Sequence, residues 1–274
     1  MNVAMPAGHP RTALVTGASS GLGAAIALEM AGQGWKIAIG ARREDRLAET
    51  AEQARARGAA QVYAGPLDVT DDASVERFFA ASENALGTAD VIVNNAGVSR
   101  FHWLDETDTR WLRNEIETNL IGPMVVTHRA LAPLLAAGLH GDVVMVSSDA
   151  MHHPRPGQLA YGASKAGLEN YAAALSMALE GTGVRVIRVR LGPALSEFAM
   201  TWDLTPETTR KRTAYWAGFG LRDARMLARD DLALLTPEDV AREVIYAVTR
   251  PRHVLLDTIE LQPAVPYKRQ EDPT

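Results

Sequence analysis

Short runs of branched and small apolar residues recur along this chain with helix-forming stretches between them. That alternation restricts the fold more than any other feature. RTALVTG (Arg11–Gly17), WKIAIGA (Trp35–Ala41), AQVYAGPLDV (Ala60–Val69), ADVIVNNAG (Ala89–Gly97), GDVVMVSS (Gly141–Ser148) and VRVIRVRLG (Val184–Gly192) read as buried strands. Helical stretches lie between them at Gly23–Gln33, Glu44–Arg57, Ala73–Leu86, Asp108–Ala137 and Tyr161–Glu180. A last helix, Pro237–Thr249, precedes a seventh strand within His253–Leu261. Strands that are apolar on both faces must be covered on both, and helices between successive strands supply the cover. The expectation is an α/β chain with a doubly wound parallel sheet of about seven strands and helices on both faces. No Pro/Gly/Ser linker interrupts it, so residues 1–274 read as one domain with loose ends at 1–10 and 267–274.

Composition narrows the class of ligand. The net charge is −5, with 47% hydrophobic and 22% charged residues. That balance supports an ample core, and the acidic excess argues against a nucleic-acid surface. The chain has no cysteine, so disulfides, thiolate nucleophiles and cysteine metal sites are excluded. No HEXXH-type or other metal-ligand spacing occurs, so no metal is expected. No apolar run is long enough to span a membrane, and Met1–Pro10 lack a basic start followed by an apolar run. The expected place is the cytoplasm.

In a sheet of this kind ligands bind beyond the carboxyl ends of the strands, where chain direction switches. TGASSGLG (Thr16–Gly23) follows the first strand and opens the first helix. Gly17 permits a tight turn, Gly21 lets a ligand approach the backbone, and Gly23 lets helix and sheet pack closely. The helix start offers free N–H groups and a partial positive charge to a pyrophosphate. At the end of the second strand, where an acidic residue would hold a ribose 2′-hydroxyl, the chain has Ala41 followed by Arg42 and Arg43. Two guanidiniums suit a 2′-phosphate, which points to NADP(H) rather than NAD(H). The alternative is a solvated helix start, with Glu44 and Asp45 next door.

YGASKAGLEN (Tyr161–Asn170) puts a tyrosine and a lysine four residues apart, on one helix face. A free phenol titrates at about 10 and is a poor proton carrier at neutral pH. A neighbouring ammonium favours the phenolate. A drop of roughly 2–3 units, worth about 3–4 kcal/mol, would tune the phenol for acid–base work. An ordinary surface contact is the alternative.

Taken in order, these motifs resemble the short-chain dehydrogenase/reductases in their common, shorter branch. The similarity runs from Arg11 to about Pro263. It passes through TGASSGLG, LDVTD (Leu67–Asp71), NNAG (Asn94–Gly97), the ETN ending at Asn119, VSS, and YGASK, with Ser148 placed 13 residues before Tyr161. The C-terminal VTRPRHVLLDTIELQPAVP is similar to the ending of clavulanate-dehydrogenase-like actinobacterial reductases. The resemblance implies a Rossmann-type fold and an NADP(H)-dependent oxidoreductase, a ketoreductase interconverting a carbonyl and a secondary alcohol. The catalytic four would be Asn119, Ser148, Tyr161 and Lys165. Tyr161 would exchange a proton with the substrate oxygen, and Lys165 would depress the phenol's pKa and hold the ribose. Ser148 would bond the substrate oxygen, and Asn119 would anchor a water relay behind the lysine.

By the same resemblance the cofactor would meet Gly17, Ser19, Ser20, Gly21, Leu22 and Gly23 of the turn, and Arg42 and Arg43 at its phosphate end. Asp68 and Val69 would contact the adenine. Asn95, Ala96 and Gly97, beside Asn94, would support the ribose together with Tyr161 and Lys165. Gly192 and Ser196 would reach the nicotinamide. A homodimer or homotetramer would form through Asp108–Ala137 and Tyr161–Glu180. Their Leu131, Leu134, Leu135, Leu168 and Leu175 give more apolar surface than one sheet face needs. The alternatives are an NAD-linked alcohol dehydrogenase and a non-catalytic dinucleotide-binding regulator, and the intact Tyr161/Lys165 pair favours the enzyme.

Departures from the family pattern concern the substrate side. Leu191 stands where a proline usually precedes Gly192, and the serine motif continues as SDAMHH, with Met151 where a glycine is common. Residues 198–235 would form a lid. Its Trp202, Tyr215, Trp216 and Phe219 suggest an apolar or ring-bearing substrate, a small-molecule carbonyl or alcohol. Packing between helices or subunits is the alternative use of these aromatics. Trp103, His152, His153 and Trp202 are the candidate substrate contacts.

Overall fold

The computed structural model describes residues 10–194, 206, 207, 209–211 and 234–264. Seven strands form one sheet: β1 (Thr12–Thr16), β2 (Lys36–Ala41), β3 (Gln61–Pro66), β4 (Val91–Asn94), β5 (Gly141–Ser148), β6 (Val184–Leu191) and β7 (Thr258–Leu261). Their order is β3-β2-β1-β4-β5-β6-β7, and every neighbouring pair is parallel. The order reverses between β1 and β4, so the two halves wind away from a common seam. This is the doubly wound Rossmann-type sheet that the apolar runs predict.

Helices cover both faces because neither face of these strands can meet water. Along β1, Ala13 and Val15 pack to one side with α1 (Gly21–Gly32), α2 (Glu44–Ala56) and α7 (Pro237–Val248). Leu14 packs to the other, with α3 (Asp72–Leu86), α5 (Gly122–Ala136) and α6 (Leu159–Ala178). Leu131, Leu134 and Leu168 are spent in this second core. The outward apolar surface on these helices is therefore narrower than the leucine count predicts. Leu135 is exposed, and Met177 and Ile121 are exposed with it.

The long middle helix predicted over Asp108–Ala137 is not continuous. α4 (Thr109–Ile116) gives way to a π-helical turn, Glu117–Ile121, before α5 begins. Pro123 explains the break. It has no N–H to offer the carbonyl of Asn119 four residues earlier, and the Gly122 N–H bonds instead to the Glu117 carbonyl five residues back. Gly122 is needed there as well, because a Cβ would come within 2.7 Å of Val69 Cγ2. The turn sets Asn119 out of α-helical register, and its side chain is fully buried.

At the amino ends of the strands, away from the glycine turn, charge is buried deliberately. Asp142 is wholly inaccessible and accepts from Arg11 Nη2 at 2.7 Å, Arg185 Nε at 2.7 Å and Arg252 Nη1 at 3.0 Å. Arg11 also reaches Asp90, and lies over the Trp35 ring at 5.1 Å. This end of the sheet is a structural lock, and the opposite end is left for a ligand. No helix among the described residues is long and apolar enough to cross a membrane.

Candidate active site

A cleft of about 470 Å³ opens at the carboxyl ends of the strands, across the β1/β4 seam. One wall is the glycine turn. Gly17 has φ +68°, a left-handed conformation that a side chain resists, and a Cβ there would lie 2.8 Å from the Ala96 Cα. The NNAG segment fastens the turn from below. The backbone N–H groups of Asn95 and Ala96 donate to Thr16 Oγ1, and Asn95 Nδ2 donates to the carbonyls of Thr16 and Gly17. Asn94, at the end of β4, is buried and donates to Thr127 Oγ1 at 2.9 Å.

Ser19, Ser20, Gly21, Leu22, Arg42, Arg43, Asp68, Val69, Asn95, Ala96 and Gly97 all line the cleft. Gly23 does not; it packs the helix onto the turn, with room for no side chain beside the Gly17 carbonyl. Ser20 precedes α1 but caps none of its N–H groups. Its hydroxyl instead accepts from Arg43 Nη2 at 2.5 Å, and Ser19 Oγ accepts from the same guanidinium. Arg43 is thus held over the glycine turn, beside the start of α1. Cleft wall, helix start and arginine together fit a phosphate-bearing dinucleotide laid along the seam.

The four residues expected to carry the chemistry converge at the far end of the cleft. Ser148 closes β5, and its Oγ accepts from the Ala150 N–H at 3.2 Å. The Tyr161 side chain, in the first turn of α6, hydrogen-bonds to Ser148. Lys165 follows one turn later on the same buried face, with Nζ donating to the Val146 carbonyl at 2.8 Å. Asn119 locks the region behind them. Its Oδ1 and Nδ2 pair with the Val98 N–H and carbonyl at 2.8 Å each, and Nδ2 also lies 3.3 Å from Ser164 Oγ.

The electrostatics run against the simple expectation for the pair. Burial pushes the Tyr161 phenol up to about 12, against the pull of its bond to Ser148 and the charge of Arg155. Burial also brings Lys165 down to about 8, with the Glu169 carboxylate opposing it. In the chain's own surroundings desolvation outweighs the neighbouring groups that would lower the phenol. The Lys165 ammonium lies over the Tyr161 ring, 5.9 Å from its centroid.

The substrate end differs from the expectation. Trp103, His152 and His153 do not line the cleft. Trp103 packs edge-on to Phe101, and both histidines face solvent. Asp149, Arg155 and Gln158 stand there instead. Arg155 Nη2 donates to both Asp149 oxygens, at 2.8 and 2.9 Å, with both side chains largely buried. The stretch SDAMHHPRPGQLAY held this signal, since the segment that joins the serine to the tyrosine must start and end at the site, and Asp149, Arg155 and Gln158 are its polar members that line the cleft. Gly192 lies on the opposite wall. Ser196 and Trp202 lie outside the described residues, as does most of the 198–235 lid. Of that lid, Lys211 pairs with Glu106 at 3.1 Å.

This arrangement defines an oxidoreductase of the dinucleotide-binding α/β class, and comparison with known proteins supplies the family. Residues 11–207 match the model of the short chain dehydrogenases. Sulfoacetaldehyde reductase 2 of Chromohalobacter salexigens is 34% identical over 251 residues, 91% of this chain and 93% of that protein. Serine 3-dehydrogenase of Agrobacterium fabrum is 30% identical over 254 residues, 92% of this chain and 93% of that protein. A solved serine dehydrogenase, in a closed form complexed with NADP+, superposes with a TM-score of 0.79 at 26% identity. It covers 96% of this chain and 99% of its own. The chain belongs to the short-chain dehydrogenase/reductase family.

Proposed function

We propose that this chain interconverts a carbonyl and a secondary alcohol, using NADP(H), with Tyr161 as the group that gives or takes the proton. The observation that carries the reading is the buried Ser148–Tyr161 hydrogen bond at the end of the cleft, one helical turn from Lys165. The cofactor, when bound, supplies or accepts the hydride. Arg42 and Arg43 stand where its 2′-phosphate would lie, and the NADP+ in the serine dehydrogenase structure supports the same choice. Ser148 and Tyr161 hold the substrate oxygen between two hydroxyls. Burial keeps the phenol protonated near neutral pH, the form in which it would give its proton to a substrate oxygen during reduction. Lys165 holds the ribose, and Asn119 keeps the segment after β4 against α6.

The apolar or ring-bearing substrate suggested by the lid aromatics has no counterpart in the described wall, where Arg155, Asp149 and Gln158 favour a polar one. Relatives named for sulfoacetaldehyde and serine support a small polar carbonyl compound or its alcohol. We infer also that the chain forms a symmetric homo-oligomer in the cytoplasm. The exposed Ile121, Leu135 and Met177 on and beside α5 and α6 are the surface it would use.

Tyr161→Phe tests the reading, because it removes one hydroxyl and little volume. NADPH oxidation on a panel of short aldehydes and ketones should fall roughly 10²–10⁴-fold, with NADPH affinity and circular dichroism unchanged. Wild-type turnover by the variant on any substrate would refute the assignment.

A further inference from the structure

Glu115 has no part in the mechanism above, yet it is one of the most deeply buried carboxyls in the described chain, at 1% exposure. It lies on α4, one turn before Asn119, and its helix neighbours Arg113 and Glu117 are exposed. Two backbone N–H groups from other elements donate to it. One is Arg100, on the loop after β4, which bonds Oε1. The other is Tyr161. Oε2 is buried and has no hydrogen-bond partner.

Tyr161 is the third residue of α6, so its N–H is among the four that a helix start leaves without an internal acceptor. The residue before the helix, Gln158, makes no cap bond; its Nε2 crosses to Ser99 Oγ at 3.1 Å. The cap comes instead from α4. The same loop is fastened to the start of α6 again where the His102 N–H donates to the Gly157 carbonyl at 3.0 Å. Phe101 packs against Gly157 so closely that a Cβ there would meet its ring at 2.8 Å.

We propose that Glu115 is a positioning residue for Tyr161: its carboxyl caps the helix that carries the phenol and ties that helix to the loop on the cleft wall, and its protonation state sets how firmly the phenol is held. The proposal rests on Tyr161 being the proton-transfer group. A carboxylate accepts N–H bonds roughly twice as strong as a neutral acid does, and a negative charge suits a helix start. The buried Oε2, with no protein donor in reach, is where a proton would sit. Burial accordingly pushes Glu115 up to about 7, against the N–H groups of Arg100 and Tyr161 and the charge of Arg100. Those two residues are the groups facing it from the loop and from α6. In the ionised form Glu115 also raises the phenol's pKa, but Tyr161 is protonated near neutral pH in either state of Glu115, so the coupling acts through the cap. Protonation of Glu115 weakens its bonds to the Tyr161 and Arg100 N–H groups and loosens the phenol, so reductive turnover should fall as pH drops through about 7.

Glu115→Gln keeps an acceptor oxygen and cannot ionise. The pH dependence of NADPH-driven reduction would be compared in wild type and variant from about pH 5 to pH 9. The expected result is a step near neutrality in the wild type and none in the variant, with the alkaline limb displaced to lower pH. Glu115→Leu, which removes the acceptor, should lower turnover roughly ten- to a hundredfold through misplacement of the phenol, with NADPH affinity retained. Difference infrared spectroscopy of the full chain would follow the carboxylic acid band without any substrate. A band that titrates near neutrality and disappears in Glu115→Gln is expected. A neutral step surviving in Glu115→Gln overturns the proposal. So does an unaltered infrared titration, which judges Glu115 separately from Tyr161→Phe turnover.

Discussion

Removing Asp142 should destabilise the whole sheet while leaving the chemistry intact, and the size of the loss follows from what each arginine keeps. Arg11 and Arg252 have side chains 24% and 34% exposed, so both can turn their charge to water. Arg252 also keeps the Gly141 and Gly183 carbonyls. Arg185 is 7% exposed and cannot leave. It keeps the carbonyls of Val248, Arg250, Pro251 and Val254, but its charge loses its carboxylate. Breaking a buried pair from one side costs about 3–5 kcal/mol. Two of the three cations can rehydrate and the third retains acceptors, so Asp142→Ala should fall at the lower end, about 3 kcal/mol. That corresponds to a melting point lower by roughly 6–12 °C for a chain of this size. Urea unfolding followed by tryptophan fluorescence would measure it, and Trp35, under Arg11, gives a local probe. The double variant Asp142→Ala/Arg185→Met should recover part of the loss by removing the stranded charge. Turnover at low temperature should be unchanged, since the cluster lies at the other end of the strands from the cleft. A loss below about 1 kcal/mol, with no recovery in the double variant, would show the network to be no stronger than a surface pair.

Arg43→Ala should weaken NADPH binding far more than NADH binding, read by fluorescence titration of both cofactors. Equal affinities in the wild type would favour the NAD-linked alternative. The exposed Ile121, Leu135 and Met177 predict a light-scattering mass at a multiple of the 29.5 kDa chain. A monomer at micromolar concentration would reject that assembly.

The parallel sheet was legible because its strands are apolar on both faces, a pattern that no half-exposed sheet produces. Strand ends were less so. ADVIVNNAG reads as one strand, but pairing stops at Asn94, because Asn95 turns its N–H and side chain to the Thr16–Gly17 turn. The middle helix read as continuous because its apolar period runs on through Asn119. Only the loss of one N–H at Pro123, set against the close approach of Gly122 to Val69, shows why it must change register there.

The candidate site divides the same way. Its glycine turn, arginines and Tyr161/Lys165 spacing are local signals, carried by residues near each other in sequence. The ionisation of the pair is not local. Spacing alone favours a depressed phenol, whereas the folded chain buries both groups, and desolvation decides the outcome for each. Glu115 was invisible for a related reason. In sequence it is one acid on an amphipathic helix, with Arg113 and Glu117 two residues to either side. Its meaning comes from Arg100 and Tyr161, 15 and 46 positions away, whose backbone N–H groups meet only in the folded chain. Residues that touch a ligand recur in recognisable words. Residues that hold those residues in place are chosen by geometry, and the buried atom with no partner is the mark by which the structure discloses them.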